Sequence, residues 1–431
     1  MKHLIIISLC IFPQVLSGQG TYDLKRCIET GLERNYALRI VRNEQTIAEN
    51  NLSLGNAGYL PTIDLNGGYS GDIMDTDDGN TRTAHVHDQQ LNAGINLNWT
   101  VFDGFNIQAG YDRLKELQQT GALNTRAAIE NFIAELSAEY YNYVQQNIRL
   151  NNLKSAVKLS KERLRIVEAR YNIGSMSRLD MQQAKVDFNA DSSMLIQQYE
   201  TLFTSRTKLN RLMAVENIEQ PLLVGDTVIE FNALLDKAAI REKMLTANPY
   251  LLLSQKEVRL SELELKQAAS PNYPYLRLNA GYGYTKNMYD SNTTWRKNWG
   301  FNYGLTLGLN LFDGFNTSRK QKNAKIQLQN KELQFRQLRQ SVETDLSNAW
   351  MAYTNNIELV NLEKENLATA RDNYAIAIER YKLGDLAGIE LREAQNSLLE
   401  AEERLVQAQY RTKLCEISLV QISGQILSYM E

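Results

Sequence analysis

The sequence has little of what interrupts regular structure and little of what performs chemistry. Six prolines in 431 residues leave most of the chain free to form long unbroken elements. Only three histidines and three cysteines occur. His85-x-His87 brings two imidazoles together in a segment that reads as a loop, without the further ligands a closed metal site requires. Asp75-x-Asp77-Asp78-Gly79 starts like a calcium loop, but its glycine comes one residue early and Val86 stands where the closing glutamate belongs. No dinucleotide or phosphate-binding glycine loop, no G-x-S-x-G and no C-x-x-C is present. Neither an enzymatic centre nor a cofactor is expected. A formal net charge of -3 excludes a strongly basic nucleic-acid binder. Mean hydropathy is -0.41, and beyond the N-terminus no run of 18 apolar residues suggests a transmembrane helix.

What is present begins with an export signal. Lys2 precedes the apolar stretch Leu4 to Phe12, and the small residues Ser17, Gly18 and Gly20 follow, so residues 1–20 read as a signal peptide. Leu9 before Cys10 does not suit lipid attachment, which wants a small residue there. Cys27 and Cys415 read as separate buried thiols rather than a disulfide. An exported chain without a membrane helix is periplasmic, secreted, or part of an outer-membrane β-barrel.

The remainder is written twice. Phe102-Asp103-Gly104-Phe105-Asn106 recurs 210 residues later as Phe312-Asp313-Gly314-Phe315-Asn316. Arg170-Tyr171-Asn172-Ile173-Gly174 recurs at the same offset as Arg380-Tyr381-Lys382-Leu383-Gly384. Leu65 to Tyr69 matches Leu278 to Tyr282 at an offset of 213, so a loop between Tyr69 and Phe102 absorbs three residues. Landmarks in one order at a near-constant offset indicate a tandem duplication. The first repeat spans 21–213 and the second 247–431, with 214–246 as a linker.

Each repeat carries two alternating segments, at about 61–70 and 91–101, then at 275–285 and 300–311. Leu91, Ala93, Ile95, Leu97 and Trp99, for example, alternate with Asn92, Gly94, Asn96, Asn98 and Thr100. A period of two over about ten residues suits a tilted membrane strand with one apolar face, though a half-buried soluble hairpin shares the pattern. Long helices follow over 106–172 and 316–382, with return helices over 178–213 and 388–426. Apolar residues at Leu150, Leu153, Val157, Leu164, Val167 and Tyr171 give heptad-like spacing, repeated at Val360, Leu367, Tyr374 and Tyr381. At 1.5 Å per residue the long helices would reach about 100 Å and the return helices about 55 Å. Shorter helices near 30–56 and 247–270 would add about 35 to 40 Å. One long rod thus matches two short rods stacked end to end.

Four membrane strands cannot close a barrel alone, and an open edge in lipid leaves unpaired N–H and C=O groups. Two copies would give eight strands, normally filled by their own side chains; three would give twelve and a lumen. The inward Asn, Gly, Thr and Ser suit water, which favours a homotrimer.

This arrangement resembles the TolC-type outer-membrane efflux proteins. The doubled Phe-Asp-Gly junctions and Arg-Tyr-x-x-Gly helix ends carry the resemblance, over nearly the whole mature chain. It implies a mainly α fold with transmembrane β: duplicated helical hairpins forming a periplasmic tunnel, below a trimeric twelve-stranded barrel in outer-membrane lipid. It implies a passive gated duct from periplasm to exterior in a Gram-negative bacterium, docked to a periplasmic adaptor protein and an inner-membrane pump. It also implies a gate at the helical tip, with acidic constriction residues at Glu390 and Glu393 and bracing residues at Asp180 and Tyr381. The adaptor contact would comprise Gly174, Ser175, Leu179, Gly384, Gly388 and Ile389. One departure stands out: where the family pattern has a basic bracing residue, this chain has Leu386, leaving Arg178 as the alternative. The competing reading is a soluble periplasmic coiled-coil adaptor or scaffold, which should have one helical hairpin between compact β-domains rather than two hairpins preceded by strands.

Overall fold

The structure is a computed structural model describing residues 22–77, 79–80, 82–289 and 294–427. The signal-peptide reading therefore lies outside the described residues. The chain order is α1 (Leu24–Arg34), α2 (Tyr36–Asn51), α3 (Leu54–Ala57), β1 (Thr62–Asp77), β2 (Arg82–Asp103), α4 (Asn106–Asn172) and α5 (Arg178–Leu212). The second half runs α6 (Lys237–Ala247), α7 (Pro249–Ala269), a 3-10 turn (Ser270–Asn272), β3 (Tyr275–Tyr289), β4 (Thr294–Gly308), α8 (Asn316–Leu383) and α9 (Gly388–Ile422). No helix among the described residues is long and apolar enough to cross a membrane.

The strands form one antiparallel sheet in the order β1-β2-β3-β4. The second strand of the first repeat thus pairs with the first strand of the second, as in Ile95 opposite Tyr282 and Leu97 opposite Ala280. Apolar residues share one face and Asn, Gly and Thr the other, because side chains alternate along every strand. β1 and β4 are the two free edges. The first hairpin continues past its alternating segment, with Ser70 opposite Gln90 and Asp72 opposite Asp88. Apolar–polar alternation covers only part of the hairpin, and backbone pairing persists beyond it. His85 and His87 consequently lie within β2 rather than in a loop, and no metal-holding cluster occurs among the described residues. At the other end β4 stops at Gly308, and Leu309 to Leu311 run on outside the ladder.

Each sheet-to-helix junction is built by its Phe-Asp-Gly-Phe segment. Gly104 and Phe105 both take left-handed backbone, at φ 70, as do Gly314 at φ 69 and Phe315 at φ 63. The turn aims the preceding aspartate at the new helix. Asp103 accepts the Ile107 N–H at 2.9 Å, and Asp313 accepts the Thr317 N–H at 2.7 Å. These carboxylates satisfy amide groups that the first helical turn leaves open. The two phenylalanines of each motif meet edge to face, at 5.1 Å for Phe102–Phe105 and 5.3 Å for Phe312–Phe315.

The helices run away from the sheet. α4 has 67 residues and α8 has 68, each about 100 Å of rod. α2 and α7 pack beside their sheet-side halves; α5 and α9 pack beside their far halves. The rod expected near 247–270 is the single helix α7, capped by Asn248 where α6 ends, whereas the one expected near 30–56 is broken because Asn35 ends α1 and caps α2. Asn35 Oδ1 accepts the Leu38 N–H, and Asn248 Oδ1 accepts those of Tyr250 and Leu251. Midway along, Cys27, Ile28, Ile133, Leu136, Tyr140, Leu209, Met213 and Ile229 form the main core, closing residues of the 214–246 segment against the rods. Both Cys27 and Cys415 are free thiols.

The coiled-coil seam differs in detail from the sequence spacing. In α8 it follows Leu346, Tyr353, Val360, Leu367 and Tyr381, on a seven-residue repeat. In α4 the buried line is Leu153, Ala156, Ser160, Arg163 and Val167; Val157 and Leu164 flank it half-buried and Tyr171 is exposed. The seam accepts Ser160 and Arg163 because Arg163 finds a carboxylate across the interface.

Gly104 separates the two junctions experimentally. A Cβ there would stand 2.3 Å from the Ser270 carbonyl oxygen, whereas one at Gly314 would meet nothing nearer than Asn316 Nδ2 at 3.7 Å. Gly314→Ala should cost only the left-handed backbone penalty, about 1–2 kcal/mol. Gly104→Ala should cost more and lower the yield of heat-resistant folded protein further, as read by thermal melting in detergent. Equal losses would contradict the junction geometry.

Candidate functional site at the helical tip

The tip lies where each long helix turns into its return helix. Gly174, at φ 80, and Gly384, at φ 82, supply the left-handed residue that ends α4 and α8. α5 then opens on Ser177, whose hydroxyl accepts the Asp180 N–H at 3.1 Å while Asp180 accepts the Ser177 N–H at 3.2 Å. This reciprocal capping box occupies the Asp180 carboxylate. α9 opens similarly: Glu390 accepts the Ala387 N–H at 3.2 Å. Glu390 and Glu393 are both exposed.

The two repeats clasp each other here. Arg170, at the end of α4, donates to the Lys382 carbonyl at 3.1 Å and covers the Tyr381 ring at 5.4 Å. A cation beside the last carbonyls of α8 complements that helix's dipole. Tyr381 is fully buried, packed with Val167, Ala184, Ala377 and Leu391, and Leu386 leans on the same cluster. Leu386 thus contributes apolar packing where a basic brace was expected. Burial raises the Tyr381 hydroxyl's pKa above its ordinary value, with Arg170 and Arg163 opposing. Asp180 and Tyr381 line one cavity, yet Asp180 bonds within its own cap and the Tyr381 hydroxyl has no hydrogen-bond partner among the described residues. Arg178, the alternative brace, is exposed.

About two turns deeper lies a charged network that sequence spacing missed. Arg163 of α4 contacts Asp187 of α5 at 2.5 Å. Arg392 of α9 holds Asp191 of α5 with both terminal nitrogens, at 2.8 and 2.7 Å. Gln395 donates to the Ala156 carbonyl at 3.3 Å and to Asp191 at 3.5 Å. Asp191 is only 1% exposed. A two-pronged guanidinium–carboxylate contact out of water fixes both distance and angle between helices. The Asp191–Arg392 pair therefore ties the first hairpin to the second. Its signal was present in the seven-residue line Ala184, Asp191, Gln198, Ser205, whose polar members occupy a coiled-coil seam.

The expected adaptor-contact residues are all exposed at this end: Gly174, Ser175, Leu179, Gly384, Gly388 and Ile389. Leu179 is 76% and Ile389 77% exposed, and Ile173 and Leu383 add two more apolar side chains in water.

The family model described as outer membrane efflux protein matches residues 27–215 and 240–425, one match for each half of the duplication. The chain belongs to that family. It is similar to the outer membrane efflux protein BepC of Brucella suis, at 21% identity, covering 99% of this chain and 91% of that protein. The outer membrane protein TolC of Escherichia coli is 21% identical over 79% of this chain and 71% of its own length. Among solved structures, the CmeC outer membrane channel of Campylobacter jejuni superposes with a TM-score of 0.80 at 16% identity, covering 93% of this chain and 85% of that one. The chain is an outer-membrane channel of an efflux system, with a periplasmic helical extension. Its fold is that of the trimeric channels, each copy supplying four strands of the barrel and a share of the helical tunnel. The family is one of channels, not a class of enzymes.

The Asp191–Arg392 tie is testable alone. Asp191→Asn leaves a largely buried guanidinium without its counter-charge, a loss of about 3–5 kcal/mol. Amide exchange in 388–395 should then rise at least tenfold, with 278–284 in the barrel unchanged. Replacing both members, Asp191→Leu with Arg392→Met, should restore protection. Unchanged exchange in Asp191→Asn would remove the pair from any role in holding the tip.

Proposed function

We propose that this channel is the passive exit duct of a tripartite efflux or export system, gated at the helical tip. Three copies close the barrel, the free β4 edge of one pairing with the free β1 edge of the next. The observation that carries the reading is the polarity of the rod: a membrane sheet at one end and, about 100 Å away, a tip with exposed carboxylates and exposed apolar side chains. A periplasmic adaptor docks on Gly174, Ser175, Leu179, Gly384, Gly388 and Ile389, and an inner-membrane pump supplies the cargo through it.

Glu390 and Glu393 form the gate. Three-fold symmetry sets each carboxylate in a ring, and rings of like charge around a narrow axis bind cations, repel anions and repel one another. That mutual repulsion favours opening, so the closed tip needs ties within each copy. Arg170 on the end of α8, the Tyr381 cluster and the Asp191–Arg392 pair supply them. Asp180 braces by fixing the first turn of α5 beneath Tyr381. With Leu386 at the usual basic position, closure in this chain depends on the deeper ion pairs rather than on a bridge at the rim.

Single channels in planar bilayers test the gate. Glu390→Ala with Glu393→Ala should lower the cation-to-anion permeability ratio several-fold and flatten block by divalent cations. A double variant as cation-selective as the native channel would dismiss these residues. The helical dipole contribution of Glu390 is separated by Glu390→Gln, which abolishes the charge and retains an acceptor.

A further inference from the structure

The outward face of the second hairpin carries an arrangement that channel function does not use. Lys286 of β3 stands directly opposite Lys297 of β4. Both lie on the apolar, lipid-facing side, continuing the pairs Leu276–Leu307, Leu278–Leu305, Ala280–Tyr303, Tyr282–Phe301 and Tyr284–Trp299. Like charges directly opposite on one face destabilise a strand pair. Among the described residues neither lysine has an ion-pair partner. The pair calls for an anion from outside the protein.

Height says which anion. Lys286 is ten residues beyond Leu276, the lowest outward pair of this hairpin. At about 3.4 Å per residue and a tilt of about 40°, that is about 26 Å along the membrane normal. The apolar band of such barrels is about 25 Å tall. The lysines therefore emerge at the outer-leaflet headgroups, where the cost of a charge on the lipid face has nearly vanished. Indole rings bracket them: Trp299 lies one pair below, Trp295 one pair above, and Lys297 Nζ sits 4.7 Å from the Trp295 ring centre. Trp sits at membrane interfaces because its ring is apolar with a polar handle. The outer leaflet of this membrane presents phosphorylated glycolipid.

We propose that Lys286 and Lys297 form a phosphate-binding site for an outer-leaflet glycolipid, with Tyr284 and Trp299 packing its acyl region and Trp295 its sugar. The phosphate bridges the two ammonium groups and turns an unfavourable cross-strand pair into a clamp. The bound lipid anchors the hairpin at a set depth.

Native mass spectrometry of the detergent-purified full-length channel tests this, using bisphosphorylated lipid A, dephosphorylated lipid A and inorganic phosphate as probes. The native channel should retain bisphosphorylated lipid A. Lys286→Gln with Lys297→Gln should retain about 25-fold less, about fivefold for each lysine. Dephosphorylated lipid A should bind both proteins as weakly as the variant binds the phosphorylated form. Lys286→Arg with Lys297→Arg should restore retention. Should the double Gln variant fail to assemble, Lys297→Gln alone carries the test with about a fivefold loss. Undiminished retention in an assembled Gln variant overturns the site. Equal retention of dephosphorylated lipid does the same. Displacement of lipid A by an equal concentration of inorganic phosphate would assign the lysines to free phosphate and overturn the lipid.

Discussion

A backbone amide in lipid has no water to turn to, and the architecture follows from that constraint. Four strands satisfy one another through three ladders and leave β1 and β4 each with an open row of donors and acceptors. An edge like that is tolerable in water but not in hydrocarbon. The closed wall must therefore come from further copies, and three-fold repetition in turn sets rings of identical side chains around the axis. The gate proposed at Glu390 and Glu393 has meaning only as such a ring.

The duplication supplies the ruler. Each repeat sends its chain through a sheet, round a Phe-Asp-Gly-Phe turn and down a rod of nearly equal length, 67 or 68 residues. The aspartate caps fix the start of each helix at its sheet-to-helix junction, so barrel and tunnel share one wall. Seven-residue seams keep the rods nearly side by side over the whole distance. Polar residues enter those seams along their length, and near the tip Arg163 and Asp191 do so as members of ion pairs. Apolar packing there would hold the hairpins without fixing their relative angle; the Asp191–Arg392 contact fixes it.

Much of this was legible in the residues. Alternating Asn and Leu along β2, the scarcity of proline, the doubled junction motifs and the Arg-Tyr-x-x-Gly ends pointed to strands, rods and tip. Less legible were features that depend on pairing. Val157 and Leu164 looked like seam positions, yet Ser160 and Arg163 are buried instead, because Asp187 on another helix makes an arginine acceptable there. The hairpins outrun their apolar stretches, since hydrophobic alternation reports lipid rather than hydrogen bonding. Leu386 read as a missing brace and proved to be core packing beside Tyr381. The opposition of Lys286 and Lys297 depends on register, and spacing along one strand carries no information about the next.

Counting the copies in one particle tests the central claim most directly. The protein should be extracted from outer membranes in mild detergent and its mass measured by light scattering, with the detergent contribution subtracted. A particle of three chains that persists on dilution is expected, with all strand amides protected from exchange. A stable single chain, with β1 and β4 amides protected within one copy, would contradict it.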